Sequence, residues 1–391
     1  MWYNLHVSSA ARCAPPWTAG LGKGITTGMS TSKRDKKTGK RVNPFADRLA
    51  AFAAKVEGRG LDAAVVFGQS NIRCLTGVDC DNACLLVGGG KVVFYTDFRY
   101  APAARRTAPW LKVDDIKKLG GKSPLKLGSM KLVKIGYESS ITCARMQILK
   151  KVFPKARFTD ILDDVTDLRA VKTKDELDAI RAAERLNDEI WAKARAAFRP
   201  GMTERDMARV IKHMMIDLGE GEAFETIVCV GRNAAECHHV PDDTVWNGRE
   251  PVLVDMGVRL GGYCSDMTRN IVPERPSPLY KKVYALVLEA NMRAIAAARP
   301  GMTSGDLDKV ARSFLEKNGF GKAFGHSLGH GVGVDIHEKP AAAKGRKTVL
   351  KPGMTVTIEP GVYLEGNLGV RIEDLVVITE DGCEVLSSSG K

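Results

Sequence analysis

The sequence contains no CxxC pair, no run of about 18 apolar residues, and only seven histidines among 391 residues. Without a long apolar run there is no membrane span. The nine cysteines (Cys13, Cys74, Cys80, Cys84, Cys143, Cys229, Cys237, Cys264 and Cys383) are odd in number and scattered. That pattern argues against a disulfide framework and for free thiols in a reducing compartment, taken here as the cytoplasm. Cys80 and Cys84 lack the second pair that a thiolate metal site needs. Residues 1–28 have no acidic side chain and no clean apolar core before a small-residue cleavage site. This argues against a secretory signal. It leaves open an organelle transit segment or translation from Met29.

The formal charge is +13, part of it concentrated in STSKRDKKTGKR (30–41), with six basic residues against one acid. No aromatic–basic alternation and no nucleic-acid motif accompanies the run. It reads as a solvated, disordered arm. Nucleic-acid binding through it would fall steeply with salt and disappear on removal of residues 29–45.

A 44% hydrophobic and 27% charged composition is that of a globular chain, and the length suggests about two or three domains. Residues 1–45 are assigned to the arm, 46–165 to an α/β domain and 166–391 to a second domain. ADRLAAFAAKVEGRG (46–60) has helical spacing, LDAAVVFG (61–68) reads as a buried strand, and ACLLVGGGKVVFYTD (83–97) as a hairpin. Residues 168–198 read as one long helical stretch.

The most informative feature is an internal repeat. RPGMTERDMARVIKHMMIDLGEGEAF (199–224) matches RPGMTSGDLDKVARSFLEKNGFGKAF (299–324). Thr203 and Thr303 are placed to cap a helix, with Asp206 and Asp306 near its positive end. Each copy is followed by a histidine segment, CHHVPDD (237–243) or GHSLGHGVGVDIHE (325–338), and then by a strand and hairpin carrying two acids. The second domain therefore reads as two α/β halves related by a pseudo-twofold, with a cleft between them.

In EPVLVDMGVRLGGYCSDMTRNIV (250–272), Asp255 and Asp266 are equidistant from Leu260–Gly261. Glu359 and Glu373 are equidistant from Gly366. Each pair should face across its hairpin, or sit diagonally if a bulge intervenes. Like charges so placed are destabilising unless offset, and two symmetric pairs with histidine nearby are most simply offset by metal ions. Oxygen-rich ligation with imidazole suits manganese, or cobalt or zinc. Two ions sharing bridging carboxylates lie about 3.5–4 Å apart around a water that becomes a hydroxide nucleophile, which is the chemistry of hydrolysis. The histidines do not form HExxH, since Ser327 stands where the glutamate should be, and Gly329, Gly331 and Gly333 argue against a helix there.

VDMGVRLGGYCSDMTR, HSLGHGVGVDIHEKP, TIEPGVY and GVRIED, in this order and spacing, resemble the pita-bread metallopeptidases, in particular the Xaa-Pro aminopeptidases and Xaa-Pro dipeptidases (prolidases). NIRCLTG (71–77) and FYTDFRY (94–100) resemble that group's creatinase-like N-terminal domain, although Cys74 stands where tyrosine is usual. The resemblance implies an α/β (α+β) protein, in which a creatinase-like α/β domain precedes a pita-bread catalytic domain. It implies two divalent metal ions on Asp255, Asp266, His330, Glu359 and Glu373. His238 and His337 would hydrogen-bond substrate and tetrahedral intermediate, and Glu359 would also shuttle a proton. His326 would shape the proline subsite, and Arg371 would orient a ligand or contact substrate. The implied substrates are short peptides with proline second, and the implied assembly is a homodimer. A dipeptidase needs a cation for the free carboxylate, for which Lys339, Arg346, Lys347 and Arg371 are candidates. The competing reading is a non-peptidase or binding-only homologue, with nucleic-acid binding through the arm.

Overall fold

The structure, a computed structural model, describes residues 33–34, 41–120 and 132–391. Most of the basic arm, including residues 1–28, lies outside them. Residues 33–34 and 41–42 pair antiparallel. The helix expected from residue 46 starts at Pro44, because Asn43 caps it by accepting the Phe45 and Ala46 N–H groups.

The N-terminal part of the larger unit is a six-stranded mixed sheet. Its strand order is Lys112–Asp115, Lys91–Thr96, Ala83–Gly88, Ala63–Val66, Lys134–Tyr137 and Arg157–Asp160. Alternation along its strands feeds two separate cores. Ala64, Val66, Leu85, Val87 and Phe94 point into one, and Ala63, Val65, Cys84, Leu86, Val93 and Tyr95 into the other. The 83–97 hairpin forms as expected and turns on Gly89 and Gly90, both at positive φ.

The long helical stretch expected over 168–198 is broken. One helix ends at Ala170 and another spans Lys174–Ala197. The break comes from Thr173, which accepts the Glu176 N–H while the Glu176 carboxylate takes the Thr173 N–H, a reciprocal cap that starts a new helix.

Beyond it the repeat becomes architecture. In the first half, helices Lys174–Ala197 and Glu204–Leu218 pack Ile190, Trp191, Met207, Ile211 and Met215 onto Val228, Val252 and Val254 of a three-stranded sheet. In the second half, helices Pro278–Ala297 and Ser304–Lys317 pack Val283, Val287, Leu307 and Leu315 onto Val356, Ile358 and Val376. Thr203 and Thr303 both cap their helices as expected. Each RPGMT turn is tied to a later loop by matching hydrogen bonds: Gly201 N–H to Trp246 O and Gly301 N–H to Leu350 O, with returns from Trp246 to Met202 and from Leu350 to Met302.

The two hairpins differ in register. The first pairs Asp255 with Thr268, and Leu260 with Tyr263 around Gly261–Gly262, both at positive φ. The turn is centred one residue later than Leu260–Gly261, as two adjacent glycines at positive φ favour. Asp255 and Asp266 are therefore diagonal rather than opposite. In the second hairpin, the pairs Ile358–Asp374 and Gly361–Arg371 bracket Glu359 and Glu373, which stand across from each other as expected.

The second hairpin also presses on the loop after strand Ile227–Val230. A Cβ at Gly369 would lie 1.6 Å from the Ala234 carbonyl oxygen. Gly369→Ala should cost about 1–3 kcal/mol or more in urea unfolding. Gly390→Ala, with nothing within 4 Å, should stay within about 0.5 kcal/mol of the parent.

Candidate active site

A cleft of about 510 Å³ is lined by Asp255, Asp266, Glu359, Glu373, Arg371, His238, His326, His330 and His337. The structure thus brings together the nine residues expected as ligands, catalytic groups or substrate contacts, and leaves out Lys339, Arg346 and Lys347. Strand Val252–Met256 delivers Asp255 and the second hairpin delivers Arg371. Strand Gly329–Gly331 delivers His330, whose N–H donates to Thr357 Oγ1 at 3.0 Å. That strand can lie so close only because residue 329 is glycine, since a Cβ there would fall 1.9 Å from the Thr357 carbonyl oxygen.

The carboxylates are held apart by few donors. Arg371 Nη2 donates to Asp255 Oδ2 at 2.6 Å, and Thr268 Oγ1 donates to Glu373 Oε2 at 2.6 Å. Thr268 Oγ1 in turn accepts from Arg371 Nε at 3.0 Å. Thr357 Oγ1 lies 3.2 Å from Glu359 Oε1. Burial, reinforced by Glu373, Asp255 and Glu359, holds the Asp266 carboxyl well above its ordinary range. Burial, reinforced by Glu359 and Asp255, does the same to Glu373. Burial pushes Glu359 up to about 8, against the opposing pull of Arg371.

The donor set fits a divalent cation. Asp255 Oδ1 is buried without a hydrogen-bond partner. One ligand atom from each of Asp266, His330 and Glu373 lies within 4.8 Å of the others. His330 Nδ1 faces the Gly331 carbonyl at 3.2 Å and must donate to it, which leaves the Nε2 lone pair toward the acids. That Nε2 stands 3.5 Å from Asp266 Oδ2 and 3.4 Å from Glu359 Oε1, long for hydrogen bonds. Burial, followed by the neighbouring His337 ring at 4.3 Å, lowers His330 to about 4. It is neutral near pH 7, as a ligand must be.

The other histidines differ. His326 Nδ1 faces the Ser327 carbonyl at 2.7 Å, and its Nε2 meets Tyr363 Oη at 2.9 Å. Arg371 Nη1 donates to the same Tyr363 oxygen at 2.8 Å. Both His326 nitrogens are thus engaged within the wall. His239 is paired with buried Glu204 at 2.7 Å. Glu204, His239 and Asp242 form a second group of ligand type, but Glu204 already accepts from the Val230 and Asp242 N–H groups and from Asn233. It ties down the loop that carries His238.

Several supporting residues gave no sequence signal. Buried Glu184 accepts the Asp266 N–H at 3.1 Å and the Ser387 hydroxyl at 2.7 Å. Asn187 donates to the Met256 carbonyl, beside Asp255, and Asn291 to the Ile358 carbonyl, beside Glu359. Arg169 pairs with Asp335 and Glu338, next to His337. Helical polar residues of this kind look like surface positions until the sheet they cover is known. Lys339 does not line the cleft, being turned to Asp163 and Asp167.

Residues 178–380 match the description Metallopeptidase family M24, and residues 48–171 match the Creatinase/Prolidase N-terminal domain. The chain is 39% identical over 256 residues to an Xaa-Pro dipeptidase of Pyrococcus furiosus, covering 65% of this chain and 74% of that one. A prolidase structure from Pyrococcus horikoshii superposes with a TM-score of 0.83 at 30% identity, covering 88% of this chain and 99% of the other. An X-Pro aminopeptidase structure from Thermotoga maritima superposes with a TM-score of 0.76 at 31% identity, covering 86% and 98%.

The raised acids predict a pH dependence for the metal-free protein. Glu359 keeps its proton to about 8 when folded, against an ordinary 4.5, with Asp266 and Glu373 shifted the same way. The folded state then binds more protons than the unfolded one, so stability falls as pH rises. His326 and His330, lowered to about 4, act oppositely, but only below their ordinary 6.5. Between pH 6.5 and 8 the Tm of chelator-treated protein should therefore fall, and a saturating divalent cation should remove the fall. A flat or rising apo Tm across that window would overturn the account.

Proposed function

Because the chain belongs to metallopeptidase family M24, we propose that it is an Xaa-Pro exopeptidase using two divalent cations, manganese first among them. Asp255, Asp266, His330, Glu359 and Glu373 would hold them. The observation that carries this reading is the convergence of acids from both halves on one cleft with His330 among them. The substrate class is supported by relatives named for Xaa-Pro cleavage. A cytoplasmic setting is supported by the unpaired state of the eight described cysteines, and the reading includes a homodimer.

Bound in the cleft, such cations would supply Lewis acidity and a lowered water pKa. The protein's own groups do the rest. Glu359, a carboxylate beside the attacking water, would accept its proton and return it to the departing proline nitrogen. His238 and His337 line the cleft and would donate to the substrate carbonyl oxygen as it gains charge. His326 stands edge-on to Phe324 at 5.1 Å and is fixed by Tyr363, a rigid wall suited to a ring. Arg371 keeps Asp255 in place.

Chelation should abolish hydrolysis of Ala-Pro-Ala, and added manganese should restore it. Glu359→Gln should lower kcat by about 10²–10⁴-fold, and His330→Ala should lose both metal by direct assay and activity. Absence of cleavage of any Xaa-Pro peptide by protein shown to hold metal would sink the reading.

A further inference from the structure

An Xaa-Pro dipeptide ends in a carboxylate one residue from the scissile bond, whereas a longer peptide or an amide presents a neutral group there. A site built for the dipeptide needs a cation within reach, because a buried charge without a partner is costly. Among the described residues lining the cleft, Arg371 is the sole lysine or arginine. It is 3% exposed, and its guanidinium is already committed. It donates to Asp255, Thr268, the Cys237 carbonyl and Tyr363, which accounts for four of the five N–H groups of an arginine.

The remaining candidates are directed elsewhere. Lys339 lies on the strand that pairs with the His330 strand, yet its ammonium is held by Asp163 and Asp167 at 2.5 and 2.7 Å. Arg346 and Lys347 are exposed and do not line the cleft. At Ala341, paired directly with His330, the cleft wall is a methyl group. The one further charge on the lining is acidic, the exposed Glu225, and the exposed Val240 of the same lining is neutral. The surround of the acid cluster thus offers a free carboxylate no unengaged lysine or arginine and one like charge.

We infer that the cleft discriminates by charge against a free carboxylate on the proline, so that Xaa-Pro-Yaa peptides, and not free Xaa-Pro dipeptides, are the preferred substrates. This rests on the Xaa-Pro reading above. Electrostatic discrimination falls on the carboxylate alone, so a neutral amide in its place should restore turnover without added length.

The test compares kcat/KM of the manganese-loaded full-length protein for Ala-Pro, Ala-Pro amide and Ala-Pro-Ala. Ala-Pro amide and Ala-Pro-Ala, both uncharged at the proline carbonyl, should exceed Ala-Pro by about tenfold or more, the factor that one missing hydrogen bond to a charged group is worth. Equal or better turnover of Ala-Pro would overturn the inference and leave the exopeptidase reading standing. A gain for the tripeptide without a gain for the amide would also overturn it, because length and not charge would then be selected. Cleavage of none of the three by protein with measured bound metal would instead overturn the exopeptidase reading itself.

Discussion

Mutual repulsion among four largely buried carboxylates in one cleft is the constraint around which this protein is built. Asp255, Glu359 and Glu373 raise the proton affinity of Asp266, and Asp255 and Glu359 raise that of Glu373; the protein offers the four one guanidinium and the hydroxyls of Thr268 and Thr357. Such an arrangement survives in a folded chain only if the surrounding structure overrules it. Here that structure is two helix-backed sheets with apolar cores of aliphatic, methionine and aromatic side chains. The buried amides of Asn187 and Asn291 pin the carbonyls next to the first acid of each hairpin. The cost of the cluster is offset in the folded protein by packing, and in the working protein by the cations that this donor set suits.

The two halves share a plan and diverge where the chemistry needs inequivalent sides. Both RPGMT turns make the same backbone exchange with a later loop. Position 204 is a buried glutamate that gathers the loop bearing His238, whereas position 304 is a buried serine. One hairpin sets its acids diagonally and the other sets them across from each other. Residues outside the two halves add a third influence, since Arg169 and Lys172, just before the first helix of the repeat, pair with Glu338 beside His337, and Arg73 of the N-terminal domain donates to the Gly261 carbonyl at the first hairpin's turn.

The residues that meet in the cleft were legible because they recur. Paired acids at matched distances from glycine turns, repeated after matched helices, point inward whatever the details of packing. The sheet of the N-terminal domain was legible from apolar runs such as LDAAVVFG. Two expectations shifted for local reasons: a threonine–glutamate cap outweighed helical periodicity at 171–173, and two glycines at positive φ moved a turn by one residue. Glu184, Asn187 and Arg169 were not legible. A polar side chain on a helix carries no mark of burial until the partner sheet is placed, and their partners are 82, 69 and at least 98 residues away in sequence.

The register of the hairpins has a consequence for how this chain can vary. Side chains on a strand alternate between faces, so a one-residue slip between an acid and its turn, as between Asp255 and Leu260 or between Leu368 and Glu373, would turn that acid away from the cleft. The turns are freer: one hairpin closes over the two residues Gly261 and Gly262 and the other over the three residues 365–367, and both deliver their acids to the same cleft. Length can therefore vary at the tips of these hairpins, and is fixed between each tip and the acid it presents.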